Sequence, residues 1–508
     1  MVEQAVTNGS QGNYHLGVKI FGPIVKAEVD LRPLTVFVGP SNTGKSYLAI
    51  LIYALHQCFA TERGRIPFEL PQWNLQGSAL DIELSSGTRE ELDDWVSNYT
   101  PREPLQPLPL GVTGSIRSIL ERSEGLDESI DSEVSRCFGL EDIREMRRRP
   151  ISRATTAKMR VPAAADRSEA GYEFLLNSDG VDVRGMFGKI ALPDRLEAES
   201  ANYPSFLQLR RMSESVRGQA NDRYRQLMLG RIAEHVHRSL LNPLCASAYY
   251  LPADRTGVMH AHQVVVGTLV QSATTAGLRP STHVPRLSGV LADFLNQLIA
   301  VGSDGPRRRK PAVAVARTLE KNLLLGTVRV DPSLSGYPSF FYRPDGWSKD
   351  LPMMRASSMV SELAPVVLYL RHVVSPGDVL IIEEPEAHLH PAMQTAFARE
   401  LARLVRAGVR VVMTTHSEWF LEQIGNLVRL SSLPPAKRAG IAGADVALDP
   451  HDVGAWLFKR SGRPVGSVVE QVELDPETGL FSTDYHSVSE TLYNESAAIY
   501  NRLQDAGK

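Results

Sequence analysis

Apolar side chains follow two rhythms along this chain, and the switches between them mark its elements. Three mainly apolar runs rich in β-branched residues, at residues 34–38, 379–382 and 409–413, predict strands buried on both faces, as in a parallel sheet. Alternation across residues 18–29, broken at Phe21-Gly22-Pro23, predicts two short strands meeting at a turn. Further strands are expected at 79–85, 172–176 and 248–251. A hairpin is expected over 323–343 turning near Gly336, and a strand pair near 454–473, followed by a turn at 476–479. Helical spacing appears at 46–59, 117–122, 141–149, 358–373, 391–407 and from 486 onward. Residues 204–242 read as a long, charged, amphipathic helical region, too short and irregular for an extended coiled coil. Residues 1–12 read as a loose tail, 101–109 as a linker and 302–311 as an exposed loop.

Composition narrows the class. Of 508 residues, 43% are hydrophobic and 22% charged, which suits a globular protein with a large core. The 55 basic and 58 acidic side chains leave a net charge of −3, which excludes a wholesale nucleic-acid-binding surface and leaves only local patches. Two such patches stand out, at 147–149 and 307–310; each reads either as a solvated loop or as a grip on DNA or an acidic partner. Cys58, Cys137 and Cys245 lie far apart with no CxxC pair, against a disulfide framework or a zinc site. With no signal peptide and no apolar run near membrane-spanning length, the expected place is the cytoplasm, with no membrane partner.

The chemistry begins after the first buried run. Gly39-Pro40-Ser41-Asn42-Thr43-Gly44-Lys45-Ser46 matches G-x-x-x-x-G-K-[ST] at every fixed position, between a predicted strand and a predicted helix that continues through Tyr47. Glycines let the backbone close around phosphate oxygens, and the helix N-terminus adds partial positive charge. Lys45 is expected on the β- and γ-phosphates of ATP and Ser46 on Mg²⁺. The run at 379–382 ends in Glu383 and Glu384. Carboxylates at the C-terminal edge of a strand beside such a loop can face the metal and polarise an attacking water. Glu386 is assigned to the acidic turn that follows. Thr414-Thr415-His416-Ser417 closes the next buried run, and His416 there can bond a γ-phosphate and hold the water.

In this order the motifs resemble the ABC-ATPase superfamily, and within it the SMC-like branch that holds RecF-type, double-strand-break-repair and OLD-family ATPases. Ile382-Glu-Glu-Pro-Glu-Ala-His-Leu-His-Pro391 followed by Thr414-Thr-His-Ser417 is similar to the Walker B, D-loop and switch-histidine series of stand-alone bacterial AAA/OLD-like ATPases. The resemblance implies an α/β fold: a P-loop head with a mixed sheet flanked by helices, interrupted by a large, mainly helical insertion. It implies Glu383 as the metal-side acid, Glu384 as catalytic base, His390 at the D-loop position and His416 as the switch. Two departures stand out, Glu383 where the superfamily carries Asp, and Ala356-Ser357-Ser358-Met359 where its glycine-bearing signature loop sits. Ser357 and Ser358 are expected either to meet the γ-phosphate of an opposing subunit or to act as an ordinary helix cap. Ala253-Asp-Arg255 resembles a P-A-[DE]-R segment. Arg255 there senses phosphate, couples to the inserted lobe or forms a structural ion pair.

The domain reading is residues 13–60 and 248–430 as the two halves of the head, 61–247 as an inserted lobe of mixed strands and helices, and 431–508 as an α+β extension. That last stretch is short for the TOPRIM nuclease of OLD enzymes, and Asp445, Asp449 and Asp452 lack its spacing. The resemblance further implies a homodimer or higher oligomer with ATP at the interface. It also implies a separate effector protein, a nuclease or toxin, in phage defence; a DNA-repair ATPase acting alone is the alternative.

Overall fold

The computed structural model describes residues 13–60, 84–98, 108–121, 126–146, 157–162, 171–176, 180–186, 225, 229–230, 232–233, 241, 244–261, 287–301, 311–331, 338–463, 465–475, 479–480 and 483–506. The strands are β1 (Tyr14–Phe21), β2 (Ile24–Leu31), β3 (Leu34–Val38), β4 (Ala157–Pro162), β5 (Gly171–Leu176), β6 (Val181–Met186), β7 (Ala248–Leu251), β8 (Gly326–Asp331), β9 (Ser339–Pro344), β10 (Leu351–Pro352), β11 (Val379–Glu383), β12 (Arg410–Thr415), β13 (Val453–Gly462) and β14 (Val465–Val472). The helices are α1 (Lys45–Phe59), α2 (Ser86–Ser97), α3 (Leu110–Glu121), α4 (Leu126–Phe138), α5 (Gly289–Ala300), α6 (Pro311–Leu319), α7 (Ser358–His372), α8 (Pro391–Arg406), α9 (Glu418–Ser432) and α10 (Thr483–Ala506). The chain divides into two compact units: residues 1–22, 54–136 and 140–247 form one, and 23–53, 137–139 and 248–508 the other.

The second unit carries the motifs. Its sheet runs β2-β14-β13-β3-β12-β11-β7, with β13, β3, β12, β11 and β7 parallel and β14 antiparallel to β13. The three apolar runs are β3, β11 and β12, and every residue of each is buried, as a strand covered on both faces requires. Register pairs Val38 with Thr415 and Glu383 with Thr414, so the chain leaves all three strands at one edge of the sheet. A single apolar core joins this sheet to the flanking helices, and α7 is buried continuously from Val360 to Leu370. The hairpin expected over 323–343 is β8 paired antiparallel with β9.

Within the stretch 431–508, read as an α+β extension, β13 lies in the sheet beside β3, matching Trp456 with Phe37 and Leu457 with Val38. The run Val453–Phe458 is fully buried, and the Phe37 and Phe458 rings meet edge-on at 5.6 Å, a contact of about 0.5–1.5 kcal/mol beyond area burial. The sequence pattern shows two strands here but not that their neighbour lies more than 400 residues upstream.

In the first unit the order is β6-β5-β4-β1, antiparallel throughout. Helices α2–α4 belong to the same unit, apart from the last two residues of α4. The strand expected at 79–85 is not seen at its described end. Leu84 and Ser85 lead into α2, where the Ser85 hydroxyl accepts from the Thr88 amide (3.2 Å), a serine cap winning over strand propensity. The helix expected at 141–149 reduces to a single tight turn, Ile143–Met146, before the described residues stop. Both basic patches, 147–149 and 307–310, most of the 204–242 region, the tail, and most of the expected linker and loop lie outside the described residues. No described helix is long and apolar enough to cross a membrane.

Candidate nucleotide-binding and catalytic site

The glycine-rich loop spans the junction of β3 and α1. Three of its residues sit in left-handed backbone: Gly39 (φ 136°), Asn42 (φ 62°) and Gly44 (φ 96°). Gly39 has no room for a side chain, since a Cβ there would lie 2.6 Å from the Phe458 carbonyl oxygen of β13. A Cβ at Gly44 would lie 2.8 Å from Pro23 and 2.9 Å from Ile24. The loop is closed internally by the Thr43 hydroxyl donating to Pro40 O (2.8 Å) and externally by Arg460 of β13 donating to Ser41 O (3.1 Å). Ser46 and Tyr47 are exposed on the first turn of α1, and the Tyr47 ring lies 5.3 Å from that of Phe138. The strand neighbour that shapes this loop, through Phe458 and Arg460, carries no motif and was invisible in the sequence.

Lys45 is buried, and its ammonium donates to Gly39 O (2.8 Å) and Pro40 O (2.9 Å), filling the mouth of its own loop. Burial pulls its pKa down to about 8, against the opposing pull of Glu384 and Glu386. An ammonium held by two neutral carbonyls is under-compensated, and a polyphosphate is the partner that would complete it.

Across the sheet edge, Glu383 is buried and its Oε2 accepts from the Ala253 amide (3.2 Å). Glu384 turns the chain sharply, with φ 41°, and projects a half-exposed carboxylate. That left-handed conformation in a non-glycine residue needs support. Its amide donates to Thr414 O (2.9 Å) and its carbonyl accepts from Arg255 (3.1 Å). Arg255 is fully buried. It also donates to Pro252 O (2.9 Å) and Glu383 O (2.5 Å), and it pairs with Glu362 of α7. Of its three sequence readings, the structure shows the ion pair. Burial lowers the Arg255 pKa while Glu362 raises it.

His416 Nε2 stands 3.8 Å from Glu384 Oε1. Burial and then the charge of Lys45 lower the imidazole pKa, so it is neutral near pH 7, with Glu384 pulling weakly the other way. The His416 amide donates to Glu386 Oε1 at 2.5 Å, and Glu386 is half-buried, with burial raising its pKa. Glu386 lies in the turn that follows β11, as expected, with its carboxylate bonded to the end of β12. It ties the end of β11 to the end of β12, and nothing in its spacing marked it. His390 caps α8, accepting from the Ala392 amide (3.3 Å). Ser357 caps α7, accepting from the Val360 amide (3.4 Å), with Ser358 as the first helical residue. Within one chain this is the ordinary cap.

These residues fit an ATP–magnesium pair on the structure's own terms: a cradle that no Cβ can enter, a buried ammonium without an anion, and a hydroxyl and carboxylate of oxygen-donor chemistry on neighbouring elements. Among described residues no cluster of three metal-ligating side chains occurs.

A family model described as "AAA domain, putative AbiEii toxin, Type IV TA system" matches residues 271–422, under a third of the chain. No curated protein matches. Among solved structures, an SMC head bound to the C-terminal winged-helix domain of ScpA is 11% identical, covers 91% of this chain and 98% of its own, and has a TM-score of 0.37. The SMC head domain of Thermotoga maritima is 11% identical, with 91% and 100% coverage and a TM-score of 0.33. An SMC head with extended coiled coil bound to the C-terminal domain of ScpA from Pyrococcus furiosus is 11% identical, with 96% and 99% coverage and a TM-score of 0.36. At these values the likeness decides nothing about activity or partners.

Proposed function

We propose that the chain binds ATP with Mg²⁺ and hydrolyses it, with Glu384 as general base. The observation that carries this reading is the shared sheet edge, where the glycine-walled loop with its buried Lys45 and the Glu384–His416 pair stand on neighbouring strands. Lys45 and the loop amides grip the polyphosphate, Tyr47 flanks them, and Ser46 with Glu383 would hold the metal. When bound, the metal neutralises phosphate charge. Glu384 accepts the proton of the attacking water and neutral His416 orients that water beside it. Arg255 and Glu386 keep the two groups in place from below.

Replacing Glu384 by Gln keeps the shape and removes the base. Turnover is expected to fall about 10²–10⁴-fold, while ATP binding, followed by calorimetry, persists. Equal turnover in Glu384→Gln and wild type would overturn the assignment.

The fold class read at the outset, an ABC-type head, carries a further reading. Two copies close on ATP, each offering the Ser357–Ser358 helix start to the other's phosphate, and the closed state acts on a separate effector. The toxin–antitoxin wording of the matched family is in keeping with a chain that works in a toxin system; a nuclease or toxin as the effector, and a role in phage defence, belong to the proposal. A complex with the neighbouring gene product that forms with Glu384→Gln plus ATP but not with Lys45→Ala is the expected result; identical complexes would sink it.

A further inference from the structure

The largest run of exposed apolar side chains on the described molecule lies on α10. Leu492, Tyr493, Ile499, Tyr500 and Leu503 are 60%, 74%, 61%, 61% and 67% exposed. All described side chains from Glu490 to Leu503 are exposed apart from Ala497, which is half-buried. At about 100° per residue, Ile499, Leu492, Leu503, Ser496, Tyr500 and Tyr493 form one stripe about 120° wide. Asn494 and Asn501 lie on the opposite face. A helix in water does not carry such a stripe uncovered, because leaving each large apolar side chain wet forgoes about 1.5–3 kcal/mol.

We infer that this stripe is the seam of a nucleotide-independent homodimer, in which α10 packs antiparallel against α10 of a second copy. The argument for a second copy is self-complementarity. Leu492 and Leu503 stand equally far from the midpoint between Ala497 and Ala498, and so do Ser496 and Ile499. A twofold axis through that midpoint sets Leu492 against the partner's Leu503 and seats Ile499 over the small partner's Ser496. Large side chains thus meet small ones in the central layers, while Ala497 and Ala498 lie off the stripe. Charge agrees: Glu495 and Arg502 share one flank of the stripe, and antiparallel pairing brings like flanks together. Glu495 then lies within about 3 Å along the axis of level with the partner's Arg502, giving two opposite-charge contacts per seam. Parallel pairing would stack Ser496 on the partner's Ser496, leaving a gap, and would turn Glu495 toward the tyrosine flank.

The test uses the full chain without nucleotide, with mass measured by sedimentation and light scattering. Wild type is expected to be a dimer, as is Lys45→Ala, so the seam stands or falls apart from the ATPase reading. Leu492→Glu/Ile499→Glu is expected to raise the dimer dissociation constant at least about 100-fold with an unchanged far-ultraviolet circular dichroism spectrum, since these side chains are exposed in their own chain. Glu495→Arg is expected to weaken the dimer about 3- to 10-fold, and Glu495→Arg/Arg502→Glu to restore it. A monomeric wild type overturns the proposal, including one whose stripe instead binds lipid vesicles or another protein. So does a dimer indifferent to the stripe variants, and failure of the charge exchange to restore pairing overturns the antiparallel arrangement.

Discussion

Lys45 shows how a single residue records what it is waiting for. Its pKa lies near 8 in the fold and 10.5 as the ordinary value, because burial penalises the ammonium more than Glu384 and Glu386 favour it. Between those values the unfolded chain holds more protons, so this group's contribution to stability rises with pH through about 8 to 10.5 and is lost as pH falls through about 8. A bound polyphosphate reverses the imbalance. ATP binding at pH 8.5–9 is therefore expected to take up protons, approaching about one per site, and at pH 6.5–7 none through this group. Calorimetry in buffers of different ionisation enthalpy reads that number directly, and an uptake that does not change with pH would refute the coupling. The loop was legible because each fixed position answers a local demand: no Cβ at Gly39 or Gly44, a cation at Lys45. Glu386 was legible only as part of a turn and Arg255 only as one of three alternatives, because their roles depend on partners 30 and 107 residues away, the His416 amide and the Glu362 carboxylate.

At the scale of elements, Arg255 joins three pieces that the chain supplies separately: the turn after β7, the end of β11 and the first turns of α7. The Thr256 hydroxyl donates to the same Glu362 carboxylate (2.7 Å), so the ion pair sits in a small polar network inside the core. Removing only one charge leaves the other buried alone. Arg255→Leu is expected to cost about 3–5 kcal/mol in chemical denaturation, and Arg255→Leu/Glu362→Leu to recover a large part of it. Additive losses in the double variant would show that the two residues act separately. If the pair also holds Glu384 in its left-handed turn, the stable double variant retains ATP binding and loses turnover, which a purely structural pair would not produce. Element types in this region were readable because β3, β11, β12 and α7 each carry enough apolar residues to declare their burial. The place of β13 beside β3 was not, since an antiparallel pair read alone says nothing about which distant strand it joins.

At the scale of the molecule, the two proposed contacts between copies have different demands. The proposed nucleotide-bridged pairing through Ser357 is expected to be weak, because Met359 takes the place where a glycine would let the helix start approach a phosphate closely. An isolated weak contact forms only at high protein concentration. A permanent seam through α10 changes that by making the second encounter intramolecular, with an effective concentration in the millimolar range for a short link. Wild-type turnover per site is then expected to stay constant on dilution from micromolar to low nanomolar protein, as long as the seam holds. Leu492→Glu/Ile499→Glu, with an intact phosphate loop and intact Glu384, is expected to match wild type only at the concentrated end and to fall in proportion to protein below it. Parallel dilution profiles for the two proteins would mean that the copies joined by α10 are not the copies that share ATP, and the tether would have to be given up.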